Sequence, residues 1–326
     1  MNYHNRPIYA HLDKSLRLID ELKSKPSLSS IIQKYIDRNC TYFFNNTTDA
    51  IYILFKCLIE KRFNSTLISS TLDHSCTKFS KSIFTHNEKV QLNLTQLLIE
   101  GKLKDIQNEF VCISNQYQYP IVFIPHVHPY SGIILDINTL ASKIKNENSN
   151  AVVIIDGAQA IGNISFKLNS CIDYYIGCTH KWMGTSNTTG FISINHRLKD
   201  NTSVTETLKQ RDIYSIYAQE NQYKGFSSST VDILKLKNIV DELINYQEEI
   251  ITTSHMDLEL IFPFLNKIPL SSSYQSQFKG YWGQTKDLVN LSIRIIGDER
   301  FVCEDMSLPH ETSWIRIHHK EKIIIN

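Results

Sequence analysis

The chain has 326 residues, enough to bury a large core and longer than one compact unit usually runs. Lys+Arg number 34 and Asp+Glu 33, for a net charge of +1. This balance, with no Lys/Arg run, gives no electrostatic case for nucleic acid or an anionic membrane. The longest apolar stretches run about five residues, against the ~20 that a membrane helix needs. The opening "MNYHNRPIYAHLDKSL" lacks a basic segment followed by an apolar one, so no secretory signal is expected. Seven cysteines (40, 57, 76, 112, 171, 178, 303) are scattered, odd in number and without CxxC spacing. They point to a reducing, cytoplasmic setting with no disulfide framework and no metal site.

Residues 1–34 form an N-terminal helical segment, with Leu12, Leu16, Leu18, Ile19 and Leu22 at near-helical spacing and Pro26 interrupting it. A second helical run follows "NNTTDA", through Ala50, Ile51, Leu54, Phe55 and Leu58. Thr47 or Thr48 is its expected N-cap, and Asp49 suits its positive first turn. Six runs read as strands: "STLISS" (65–70), "FVCIS" (110–114), "IVFIP" (121–125), "AVVIID" (151–156), "IDYYIG" (172–177) and "GFISIN" (190–195). Helical stretches such as "INTLASKIKNE" (137–147) alternate with them. Strands apolar on both faces and alternating with helices predict a mostly parallel sheet covered on both sides, a three-layer α/β/α domain. Ligands bind beyond the carboxyl ends of such strands, which places His126, Asp156 and the 177–184 loop on one rim. The polar stretch 203–230 reads as an irregular connection, 231–256 as a long amphipathic helix, and the last seventy residues as short strands and loops. The expected domains are therefore 35–222, large α/β, and 223–326, smaller α+β.

Asp156 ends the apolar run "VVIID", where a buried carboxylate needs a partner. A strand-end cap or ion pair would satisfy it. The following Gly157 permits close backbone approach, and Gln159 adds a second polar group. Lys181, in "GCTHKWMG", is flanked by Cys178, Trp182 and Met183. A solvated surface lysine is one reading. The other is an amine whose apolar setting lowers its pKa and makes it a nucleophile. A Schiff-base lysine and an acid that holds a pyridinium nitrogen are the two protein groups pyridoxal phosphate (PLP) requires.

"DGAQAIG", followed by "DYYIGCTHKWMG" and "TTGFISI", resembles the class V aminotransferase and cysteine desulfurase group of PLP enzymes, which have PLP fold type I. The resemblance implies Lys181 as the Schiff-base lysine, Asp156 as partner of the ring nitrogen and Gln159 as a contact to the phenolic oxygen. His180 would lie near the phosphate, as would Cys178, where relatives often carry serine. "NNTTDA" is similar to the family's phosphate-cradling "GTTEA" turn and brings in Thr47 and Thr48, and a helix N-terminus is a ready anion site. "TLDHSC" is similar to the segment whose histidine stacks on the cofactor ring, here His74. Each of these short segments alone also reads as an ordinary cap or surface residue.

Other matches depart from the pattern. In "IPHVHPYSG" the family's asparagine falls on Pro129, leaving His128, Tyr130 or Ser131 for substrate contact. "KGFSSST" resembles the segment by which a partner subunit reaches the phosphate, with Phe226 or Ser227 at the usual threonine. It reads equally as a flexible Ser-rich loop. In "SWIRIHHK", Arg316 matches the arginine that holds a substrate carboxylate in a bidentate pair, with Arg294 competing. Cys303 precedes Arg316 by thirteen positions, where desulfurase relatives carry a persulfide-forming cysteine on a loop, but Glu304 and Asp305 would raise its thiol pKa. The resemblance thus implies a homodimeric enzyme that works through an external aldimine on a small amino acid, by lyase, epimerase or aminotransferase chemistry. Desulfuration through Cys303, and a non-catalytic PLP- or partner-binding module, are the alternatives.

Overall fold

The structure is a computed structural model that describes residues 17–38, 40–61, 64–71, 73–84, 89–94, 97, 103–127, 134–162, 164, 166–181, 183–198, 202–214 and 230–248, and strand segments at 266–267, 281–282, 301–307 and 313–319. The helices are α1 (residues 17–23), α2 (Leu28–Ile36), α3 (Thr47–Lys61), α4 (Ser75–Ser80), α5 (Leu103–Ser114), α6 (Ile137–Glu147), α7 (Thr202–Arg211) and α8 (Thr230–Glu248). The strands are β1 (Cys40–Phe44), β2 (Thr66–Ser70), β3 (Lys89–Leu92), β4 (Pro120–Pro125), β5 (Val152–Asp156), β6 (Tyr174–Cys178), β7 (Gly190–Ile194), β8 (Asn266–Lys267), β9 (Tyr281–Trp282), β10 (Phe301–Ser307) and β11 (Ser313–His319).

Strands β1 to β7 form one sheet in the order β1-β7-β6-β5-β4-β2-β3. β2 pairs parallel with β3 and β4, and β4 parallel with β5. β7 is antiparallel to both neighbours, so β1 and β6 run the same way. Every residue of β2, β4, β6 and β7 is buried, as expected for strands covered on both faces. β8–β9 and β10–β11 are separate antiparallel pairs.

Two sequence expectations change. "FVCIS" is the last turn of α5, not a strand. Its β-branched residues mimic a strand, but Ile106, Gln107, Phe110 and Ser114 are buried at helical spacing. Short apolar runs do not separate the two periods by themselves. The connection after residue 203 contains helix α7, whose Val204 and Leu208 are buried one turn apart. The helical reading of 1–34 and of 231–256 agrees with α1, α2 and α8 wherever residues are described.

The chain divides into two compact units. The first comprises Met1–Phe63, Cys76–Thr85 and Ala160–Glu248, and the second Asn64–Ser75, His86–Gln159 and Glu249–Asn326. In the first unit, Leu18, Ile19 and Leu22 of α1 pack on Ile233 of α8. Lys25 pairs with Asp241, and Lys237 with Asp241 at 2.9 Å and Glu21 at 3.4 Å. Arg38, buried, donates to the carbonyls of Ile172 (2.7 Å), Asn169 (3.0 Å) and Asp173 (3.4 Å), which ties β1 to the entry of β6. Burial lowers its pKa to about 10, opposed by the Asp173 carboxylate.

Candidate active site

In the first unit the site is built around the start of α3. Asn46, not a threonine, is the N-cap: its Oδ1 accepts the Asp49 N–H at 2.9 Å and its carbonyl accepts the Ala50 N–H at 3.2 Å. Thr47 and Thr48 thus become the first two helical residues, and their N–H groups have no intrahelical acceptor. The expectation of a threonine cap fails because Asn46, the residue directly before the first helical one, already accepts the third helical amide. β7 begins against this turn. A Cβ on Gly190 would fall 2.3 Å from the Asn46 carbonyl carbon and oxygen and 2.6 Å from the Thr47 nitrogen. Only glycine allows that approach. Gly190 is in register with Cys178, the buried last residue of β6.

Lys181 and His180 lie on the loop that leaves Cys178. Its ends are stapled. The Thr179 N–H donates to the Thr189 carbonyl at 3.1 Å and the Thr185 N–H to the Thr179 carbonyl at 3.3 Å. The Thr179 and Thr185 hydroxyls stand 2.8 Å apart, and Thr185 Oγ1 donates to the Asn187 carbonyl at 3.0 Å. A hydroxyl has one proton, so Thr179 is the donor to Thr185. Gly184 takes the left-handed conformation that turns the loop, at φ 72°. Downstream, Ser186 donates its N–H to Glu242 Oε2 of α8 at 2.9 Å and its hydroxyl to Oε1.

Two polar atoms of this cradle, Thr47 Oγ1 and His180 Nδ1, are buried and meet no hydrogen-bond partner among the described residues. Native interiors rarely leave such atoms unsatisfied unless a ligand or water completes them. Burial, then the charges of Lys181 and Lys235, hold the His180 imidazole below its ordinary range. Helix-terminal amides, an orphaned hydroxyl and a lysine amine form a donor set suited to a phosphorylated aldehyde.

In the second unit, parallel β2, β4 and β5 end at Ser70, Pro125 and Asp156. Asp73, 2% exposed, accepts the Ser70 N–H (3.2 Å) and hydroxyl (2.8 Å) and turns the chain into His74, which is half-buried. The His126 N–H donates to the Asp156 carbonyl at 2.8 Å. Asp156 Oδ1 accepts the Ala158 N–H at 3.0 Å, so the strand-end cap expected as one reading is present. Gln159 follows, half-buried. Burial drives the His126 pKa down to about 3, opposed by Asp136.

Thr47, Thr48, Cys178, His180 and Lys181 belong to the first unit, and His74, Asp156 and Gln159 to the second. Cys303 sits within β10 in register with Ile317, and Arg316 in β11 in register with Glu304. His128, Pro129, Tyr130, Ser131, Phe226, Ser227 and Arg294 lie outside the described residues. Sequence reasoning missed Gly190, the Thr179–Thr185 pair and Glu242. The glycine stood inside the quoted "TTGFISI". The other contacts join residues whose spacing carries no signature.

The family model for aminotransferase class-V matches residues 31–268. The chain belongs to the aminotransferase class-V family. A candidate cysteine desulfurase of Plasmodium berghei (strain Anka) is 26% identical over 189 residues, covering 52% of this class V chain and 34% of that protein. The chain thus spans about a third of that relative's length. Among solved structures, the serine palmitoyltransferase of Sphingomonas wittichii superposes with a TM-score of 0.62 at 11% identity, over 94% of this chain and 77% of that one. An enzyme named SPT, solved with PLP as its internal aldimine, gives 0.59 at 12% identity over 96% and 78%. These likenesses establish the fold of the class V chain, PLP fold type I.

Among the described residues no helix is long and apolar enough to cross a membrane, and no group of three or more His, Cys, Asp or Glu is placed to hold a metal.

Proposed function

We propose that the chain is a PLP-dependent enzyme of the class V aminotransferase type that acts at the α or β carbon of a small amino acid. The observation that carries this reading is the stapled loop that sets Lys181 and the orphaned His180 nitrogen beside Cys178, in register with the glycine that abuts the Thr47 turn. Bound PLP supplies an electron sink for negative charge at the substrate α carbon.

The chain's own residues divide the remaining work. The Thr47 and Thr48 amides, the Thr47 hydroxyl and His180 would hold the phosphate, with Cys178 beside them and Ser227 reaching in from a second copy. Asp156 would hold a proton on the ring nitrogen, with its cap to Ala158 helping to orient the carboxylate. Gln159 would meet the phenolic oxygen, and His74 would lie over the ring. Lys181, once displaced from the cofactor, would take and return a proton at the substrate α carbon. Arg316 would orient the substrate carboxylate, with His128 and Tyr130 as further substrate contacts. The homodimer, the cytoplasmic setting and the domain bounds at about 35 and 222 belong to the same proposal.

The desulfurase reading draws support from the Plasmodium berghei relative. Cys303 would be its nucleophile, yet it occupies a paired strand position rather than a loop. Visible absorbance from bound PLP in the purified chain, abolished in Lys181→Ala, is the expected result. A colourless wild type that stays colourless with added PLP overturns the reading. Assays for keto acid, ammonia, racemisation and sulfide across an amino-acid panel then separate the reactions, and sulfide release lost in Cys303→Ala would put desulfuration first.

A further inference from the structure

Helix α8 reaches the Lys181 loop through one carboxylate. Glu242 accepts both the N–H and the hydroxyl of Ser186. Ser186 follows Thr185, whose backbone N–H and hydroxyl both meet Thr179, two residues before Lys181. The chain from 179 to 186 is therefore pinned at two points. One is the buried relay from Thr179 through Thr185 to the Asn187 carbonyl. The other is a two-pronged clasp from a different element. Lys181 sits between them on a turn that depends on the left-handed Gly184. The Glu242 clasp is thus a charge-assisted link from this loop to a different element of its unit.

We propose that Glu242 is a positioning residue: by clasping Ser186 it fixes the loop that carries Lys181, and so sets how readily the Lys181 amine reacts. The inference rests on Lys181 being the reactive lysine, but its test does not require PLP. Leucine at 242 keeps the helix and most of the side-chain volume and removes the acceptors. Glutamine keeps an acceptor oxygen for the Ser186 N–H and an amide to which the hydroxyl can turn its lone pairs.

Three readouts apply to wild type, Glu242→Leu and Glu242→Gln: hydrogen exchange at the Ser186 amide, methylation of Lys181 by formaldehyde and borohydride followed by mass spectrometry, and the rate at which added PLP develops visible absorbance. In Glu242→Leu the Ser186 amide should exchange about tenfold faster as its bond is lost. Methylation of Lys181 should rise several-fold as the loop opens. Capture of PLP should slow by about tenfold, because a misplaced amine loses near-attack geometry. Glu242→Gln should restore all three toward wild type, which a general loss of stability would not explain. Faster Ser186 exchange with unchanged Lys181 methylation overturns the proposal. A wild type that captures no PLP sinks the cofactor reading and leaves the methylation result to judge the clasp. Should Glu242→Leu fail to fold, Ser186→Ala, which deletes one prong at an exposed position, must shift methylation in the same direction with smaller amplitude, and no shift there also overturns the proposal.

Discussion

Gly190 lies so close to Asn46 that a Cβ on it would fall 2.3 Å from the Asn46 carbonyl carbon. The first residue of β7 is thereby keyed to the residue that caps α3. The obstacle is backbone, which cannot swing aside as a flexible side chain would. Gly190→Ala should cost about 3 kcal/mol by overpacking and tilt the Thr47–Thr48 turn. Chemical denaturation would report the first effect. Equilibrium dialysis with PLP would report the second, as a loss of affinity larger than in an equally destabilised variant elsewhere in the core.

Arg38 offers a different kind of test. It gives hydrogen bonds to three carbonyls of the 169–173 segment from a buried position. Arg38→Ala should cost about 3 kcal/mol, since deleting a charged donor leaves buried acceptors unmet. Arg38→Lys should recover only part of this, because an ammonium cannot reproduce the planar fork. The urea midpoint is the measurement, and a midpoint within error of wild type for Arg38→Ala would refute the tie between β1 and the β6 entry.

His126 should make the fold acid-sensitive well above the carboxylate range. Its pKa falls from 6.5 to about 3 on burial, so at pH values between these the unfolded chain binds the proton and the folded chain does not. Its stabilising contribution is present above pH 6.5 and is lost as pH falls through that window. From pH 7 to 5.5 the loss from this residue should be about 1 kcal/mol. Unfolding free energies of wild type and His126→Gln at the two pH values test it: the variant should lose less on acidification, and equal losses would assign the effect elsewhere.

The strands that the chain declares most plainly are those buried on both faces. "IVFIP", "AVVII" and "GFISI" are mostly apolar because β4, β7 and the first four residues of β5 are buried throughout. The same reasoning misassigned "FVCIS", where a buried stripe of α5 ends in β-branched residues. β1, "CTYFF", and β3, "KVQL", went unnamed: they are the two edge strands, and their alternating or partial burial leaves a weaker pattern. Lys181 and Asp156 stood out in the sequence because Asp156 ends the apolar run of β5 and Lys181 follows β6 by a short loop, each bearing a group that PLP chemistry would use. The Asn46 cap was hidden among four polar neighbours able to cap. The Glu242–Ser186 clasp was invisible for another reason: fifty-six positions separate its partners, and only the fold brings them together.

β7 runs against both of its neighbours, and this makes the Lys181 loop a tether of set length. A crossover connection between parallel strands can absorb extra residues at its surface. The segment from Thr179 to Thr189 cannot, because it returns directly into a strand held on both edges. One inserted residue would have to bulge out of the stapled turn. Otherwise it would slide β7 by one position, turning Phe191 and Ser193 to the opposite face of the sheet and carrying Gly190 away from its place against Asn46. The spacing between Lys181 and Gly190 is thus enforced by strand register, and a change in chain length there would be felt as a change of fold before it was felt as a change of chemistry.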